Sequence, residues 1–151
     1  MGWWRGRRVL RGLLALWAVA VVRLTLWPAP APDDTFDVVR AVIGWFVEHG
    51  VPVTYAGVEA VANVLMFVPF GVLAGLLLTR RWPVVAIAAG LSTAIELSQR
   101  LFLPTRVPTV QDVVLNTLGA GLGLLGLLWW SRRTAVMPGR GGDAVAVSPD
   151  D

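Results

Sequence analysis

Residues 95–121, IELSQRLFLPTRVPTVQDVVLNTLGAG, set Glu96, Gln99, Arg106, Asp112 and Asn116 between two long apolar runs. The fold turns on how this stretch is read. Apolar segments 83–103 and 113–130 lie on either side of a connection that holds Pro104 and Pro108. Each is close to the roughly 20 apolar residues a helix needs to cross a bilayer, so the stretch reads as two membrane helices joined by a short loop. Its polar residues then collect at the joined end.

The rest of the chain supports that setting. Of 151 residues, 56% are hydrophobic and 15% charged, with mean hydropathy +0.65. A soluble domain of this size carries about 25% charged residues. A third apolar segment spans 60–79, and all three are bounded by Arg, Pro or Trp, the residues that favour a water interface. A fourth, 9–27, contains Arg11 and Arg23, so only 12–22 is free of charge. A basic start and short apolar core also describe a cleaved signal peptide, but the repeated prolines of PAPAP (28–32) and Arg23 favour a retained helix whose arginine snorkels to the interface. The expected architecture is an all-α integral membrane four-helix bundle. It comprises a basic N-terminus (1–8), a transmembrane domain (9–130) and a disordered Gly-, Pro- and Asp-rich tail (131–151).

All 13 basic residues are arginine. With the N-terminus inside, Arg5, Arg7, Arg8, Arg11, Arg80, Arg81, Arg132, Arg133 and Arg140 fall in the cytoplasm and only Arg40, Arg100 and Arg106 outside. This asymmetry predicts an N-in, C-in protein of the cell membrane. The arginines mark segment edges and form no stripe of the kind that binds nucleic acid. There is no cysteine and a single His49, so neither a metal site nor a cofactor is expected. In the first external segment Asp37, Arg40, Gly44 and Glu48 recur at helical spacing among Val38, Val39, Val42, Ile43, Trp45 and Phe46. That pattern predicts a short interfacial helix, with Asp33, Asp34 and Thr35 as capping candidates and Gly50 and Pro52 as its stop.

Residues three and four apart share a helix face. Ser92, Glu96 and Gln99 therefore line one side of the third span, and Asp112, Asn116, Gly119 and Gly123 one side of the fourth. Asn63 lies one turn beyond Glu59 in the second. The alternating direction of the spans brings Asn63, Glu96, Gln99, Asp112 and Asn116 together in the outer leaflet. Glu96 is expected to face Asn63, Asn116 and Arg106, because a charge facing lipid costs about 2.5–3.5 kcal/mol. Gly71 and Gly75, with Gly119 and Gly123, have the small-xxx-small spacing that lets two helices approach closely. Pro69 frees the Leu65 carbonyl and predicts a kink below Asn63.

Two blocks of this sequence resemble a known family. NVLMFVPFG (63–71) resembles the NxxxFxPxG signature of the VanZ-like bacterial membrane proteins, and ELSQRLFLPTRVPTVQDVVLNTLGAGLG (96–123) is similar to that family's second block. TLWP (25–28) is similar to the usual end of its first helix. The resemblance implies a four-helix domain in the bacterial cytoplasmic membrane. It also implies a link to teicoplanin resistance, since the family is named for a member associated with low-level resistance to that glycopeptide.

Three chemistries fit the polar residues. The favoured one is an outer-leaflet ligand site of Asn63, Glu96, Gln99, Arg106, Asp112 and Asn116 for a glycopeptide or a lipid-linked envelope precursor, in which Arg106 suits a phosphate or carboxylate. In the second the same residues are hydrogen-bonded glue that fixes helix register, with Arg106 pairing Asp112. In the third Glu96 or Asp112 is a general acid or base, with Arg106 stabilising a developing anion. No nucleophile or phosphate loop accompanies them, and this reading is the least favoured.

Overall fold

The computed structural model describes residues 2–26, 33–103 and 109–135, with side chains throughout except at 2–5, 33–39, 42 and 135. The described residues are almost wholly helical: α1 (Gly2–Thr25), α2 (Asp33–Glu48), α3 (Tyr55–Leu77), α4 (Pro83–Phe102) and α5 (Val110–Ala135). Helices α3, α4 and α5 are long and apolar enough to cross a membrane. At 1.5 Å per residue, the 23 residues of α3 reach roughly 35 Å, enough for the hydrocarbon core. α1 is as long but carries Arg7, Arg8, Arg11 and Arg23, and it docks on α3 to complete a four-helix arrangement.

Contacts between helix ends show that α1 and α3 run antiparallel, as do α3 and α4. Arg7, at the start of α1, donates to the Leu77 carbonyl at the end of α3 at 3.1 Å. This cation meets a helix C-terminus, where the macrodipole is negative. At the opposite end Gln99, late in α4, donates to the Thr25 carbonyl that closes α1, at 3.0 Å.

The helices extend past the apolar segments that announced them. α3 begins five residues before the expected start at 60, because extended Thr54 accepts the Gly57 N–H on its hydroxyl at 3.1 Å and caps the helix there. α5 runs to Ala135, five residues beyond the expected 130, with Arg132 and Arg133 in its last turn and the Arg133 guanidinium 3.8 Å above the Trp129 ring. Apolar composition marks where a helix meets hydrocarbon, whereas caps mark where its hydrogen bonds begin and end.

The tightest packing joins α3 to α5. A Cβ placed on Gly71 would fall on the Ala120 carbonyl, one on Gly119 on the Val64 carbonyl, and one on Gly123 on the Val68 carbonyl. One on Gly75 would meet the Leu124 and Leu127 side chains. The glycine spacing seen in the sequence thus forms a seam in which the two backbones touch, the contact that drives association where lipid removes the hydrophobic contrast. Beside the seam, Phe67, Phe70, Ala74, Val84, Ala88, Ala120 and Leu124 form the buried core. Most large aliphatic side chains point outward, among them Leu16, Leu65, Leu97, Leu101 and Leu125. Lipid is the solvent that suits such a surface.

Trp17 fastens α1 to this core. Its ring lies 5.4 Å from Phe67 and 5.0 Å from Phe70, and its indole N–H donates to the Met66 carbonyl at 2.8 Å. Pro69 lies within α3 without ending it and removes the N–H that would pair with the Leu65 carbonyl. Trp17 therefore binds the backbone one residue from that gap.

α2 forms where the spacing predicts it and stops at Gly50, whose φ of +80° is the left-handed conformation glycine tolerates best. It is not packed on the bundle to the extent the other helices are, and it exposes Trp45, Phe46 and Val47. His49 stacks on Trp45 with ring centroids 4.2 Å apart. The side chains of Asp33, Asp34 and Thr35, the end of the first span beyond residue 26 and the tail from 136 lie outside the described residues.

Candidate functional site

The polar residues of the second block gather around the first turn of α5. The Thr109 hydroxyl accepts the Asp112 N–H at 3.1 Å and so caps this helix. In the usual reciprocal cap, the acid three residues on would reach back to the N–H of the capping residue. Asp112 instead turns toward α3, where its Oδ1 accepts from Asn63 Nδ2 at 2.5 Å. The vacated role falls to a neighbouring helix: Glu96 Oε2, from α4, accepts the Thr109 N–H at 3.0 Å. Side chains from three helices thus close on one turn, with both carboxylates at the positive end of the α5 macrodipole.

One turn deeper lies a second tier. Asn116, only 3% exposed, donates from Nδ2 to Ser92 Oγ at 2.9 Å, and Ser92 is completely buried. The other half of this amide, Oδ1, is buried without a hydrogen-bond partner. Enclosed acceptors are nearly always satisfied, so this atom calls for an explanation.

The observed pairs differ from those expected. Glu96 was expected to face Asn63 and Asn116, but these bond Asp112 and Ser92, while Glu96 serves the backbone of Thr109. Height along the helices decides the outcome: Glu96 sits level with the α5 cap, and Ser92, one turn lower, sits level with Asn116. Gln99 shares their stripe but lies level with the end of α1, and its buried amide binds the Thr25 carbonyl. Asp112 finds its partner in Asn63, and Arg106, its expected partner in the structural reading, lies outside the described residues with Pro104 and Pro108. The sequence reading passed over Thr109 and Thr25. For Thr109 the signal was present in TVQD (109–112), the pattern of a hydroxyl cap followed by an acid three residues on.

Among the described residues no group of three or more His, Asp or Glu side chains gathers as a metal site would need. The fold and its buried polar end define a multi-pass helical membrane protein. Residues 14–131 match the VanZ/LLP1 family, and the chain belongs to that family. The matched region runs from α1 through most of α5 and includes every residue of the two tiers. Comparison with curated proteins and comparison with solved structures each returned no match.

Proposed function

We propose that this VanZ/LLP1 protein binds a cell-envelope component, such as a lipid-linked precursor, or a glycopeptide, in the outer half of the bacterial cytoplasmic membrane. The binding group comprises Asn63, Glu96, Gln99, Arg106, Asp112 and Asn116. The carrying observation is that three helices commit polar side chains to a single turn of α5. Ionisable groups within membrane helices are costly, and their default reading is functional. The side of the membrane follows from charge: Arg7, Arg8, Arg11, Arg80, Arg81, Arg132 and Arg133 belong to the opposite helix ends. Positive ends face the cytoplasm, so the polar end faces out. Arg106, three residues before Thr109 in the sequence, carries the bidentate fork that suits a phosphate or carboxylate.

A specific observation favours the structural alternative. Asn63 with Asp112, Asn116 with Ser92 and Gln99 with Thr25 already bond one another across helices. Glu96→Gln separates the readings, because glutamine keeps an oxygen to accept the Thr109 N–H while losing the charge. The experiment is a deletion strain profiled for envelope lipids and glycopeptide susceptibility, then restored with wild type, Glu96→Gln or Arg106→Gln. A folded Glu96→Gln protein that fails to restore the deletion phenotype supports the ligand site. Full restoration by both variants leaves only the glue.

A further inference from the structure

The second tier singles out one chemical class of ligand. Asp112 is half-buried, and among the described residues its carboxylate is met by the neutral amide of Asn63, with no cation beside it. The end of α5 contributes about half a unit of positive charge, and it already receives the Glu96 carboxylate through Thr109. One turn below, on the same face, Asn116 Oδ1 has no partner. Reversing the amide would only exchange the orphan, since among the described residues Ser92 is the one hydrogen-bond partner of this side chain. Two acceptors, one of them anionic, thus lie one helical turn apart on α5 where it meets α3 and α4.

Building on the outer-half site proposed above, we infer that Asp112 and Asn116 form a subsite for a primary ammonium group. The backbones of residues four apart on one face lie about 6 Å apart along the axis, a scale that one nitrogen making two hydrogen bonds of about 2.9 Å can span. A primary ammonium has three N–H donors to divide between the two oxygens and brings a positive charge that none of the described residues supplies to Asp112. Water would satisfy Asn116 but leave the charge of Asp112 without a cation among the described residues. A quaternary ammonium brings charge but has no N–H for a buried carbonyl oxygen. The occupant is therefore the amine end of a larger envelope molecule, either an aminolipid headgroup in the bilayer or an amino sugar or peptide amine from outside.

The test uses the full chain in phosphatidylcholine nanodiscs, titrated with ethanolamine and, separately, with choline at matched ionic strength. Ethanolamine is expected to raise the thermal midpoint and to shift the Asn116 side-chain amide resonance, whereas choline does neither. Asp112→Asn keeps an oxygen for Asn63 and is expected to weaken the response about tenfold or more, the scale of one charge-assisted hydrogen bond. Asn116→Leu is expected to abolish it. Should either variant fail to fold, the resonance shift in the wild-type protein still decides the matter. Equal effects of ethanolamine and choline, or an Asp112→Asn protein that responds like wild type, overturn the inference. Stabilisation by phosphatidylethanolamine in the disc but not by added glucosamine identifies a lipid source, and the reverse identifies a soluble one. The two proposals fail separately: an inactive Glu96→Gln strain with no amine response leaves the envelope site standing without this ligand class. A fully restored Glu96→Gln strain with the amine response intact leaves the subsite standing without that role.

Discussion

The seam and the polar tier are both built where α5 meets its neighbours, yet they are held in opposite ways. At Gly71, Gly119 and Gly123 there is no space, and the α3 and α5 backbones touch. At Asp112 and Asn116 there are side chains with hydrogen-bonding capacity to spare, including an acceptor with no partner. A part of the molecule that served only cohesion would resemble the seam throughout. The tier retains groups that packing does not use, and this is the physical reason to look for its purpose outside the fold.

The comparison is broken most severely at the seam. Gly119→Val drives a branched side chain into the Val64 carbonyl and is expected to cost about 3 kcal/mol or more, the upper range for overpacking, seen as loss of monodisperse protein in detergent. Trp17→Phe keeps an aromatic ring against Phe67 and Phe70 but loses the bond to Met66, so a drop of about 1 kcal/mol in reversible unfolding is expected. Asn63→Ala removes one interhelical bond in the tier, and about 0.6 kcal/mol is the scale for such bonds in membranes. A loss as large as that at Gly119 would show the tier to be the true keystone and dissolve the contrast. Smallest of all, Gly121→Ala and Gly126→Ala meet nothing within 4 Å and are expected to leave the melting midpoint unchanged or slightly raised. Destabilisation there would mean that composition rather than position makes the seam.

Much of this contrast was legible in the sequence. The membrane segments follow from uninterrupted apolar length, and the α3–α5 seam from glycines four apart in two of them, because both are properties of a single helix read along its own axis. The α2 helix and its stop at Gly50 belong to the same class. Which polar groups pair was not legible. Glu96 with Thr109 and Asn116 with Ser92 depend on the relative height of two helices, set by caps and loop geometry that residue spacing does not encode. Trp17 went unread for a related reason: one tryptophan among eight gives no sign that its indole will reach a carbonyl near a proline in another helix.

The borrowed cap of α5 bears on biogenesis. Because Glu96 belongs to α4, the first turn of α5 is completed by a segment that leaves the ribosome before it. On insertion the Thr109 N–H meets interfacial water, and only docking of the two helices exchanges that water for the waiting carboxylate. The end of α5 is thus begun by its own Thr109 hydroxyl and completed only on assembly, and a truncated chain ending after α4 would display an acid intended for a helix not yet made.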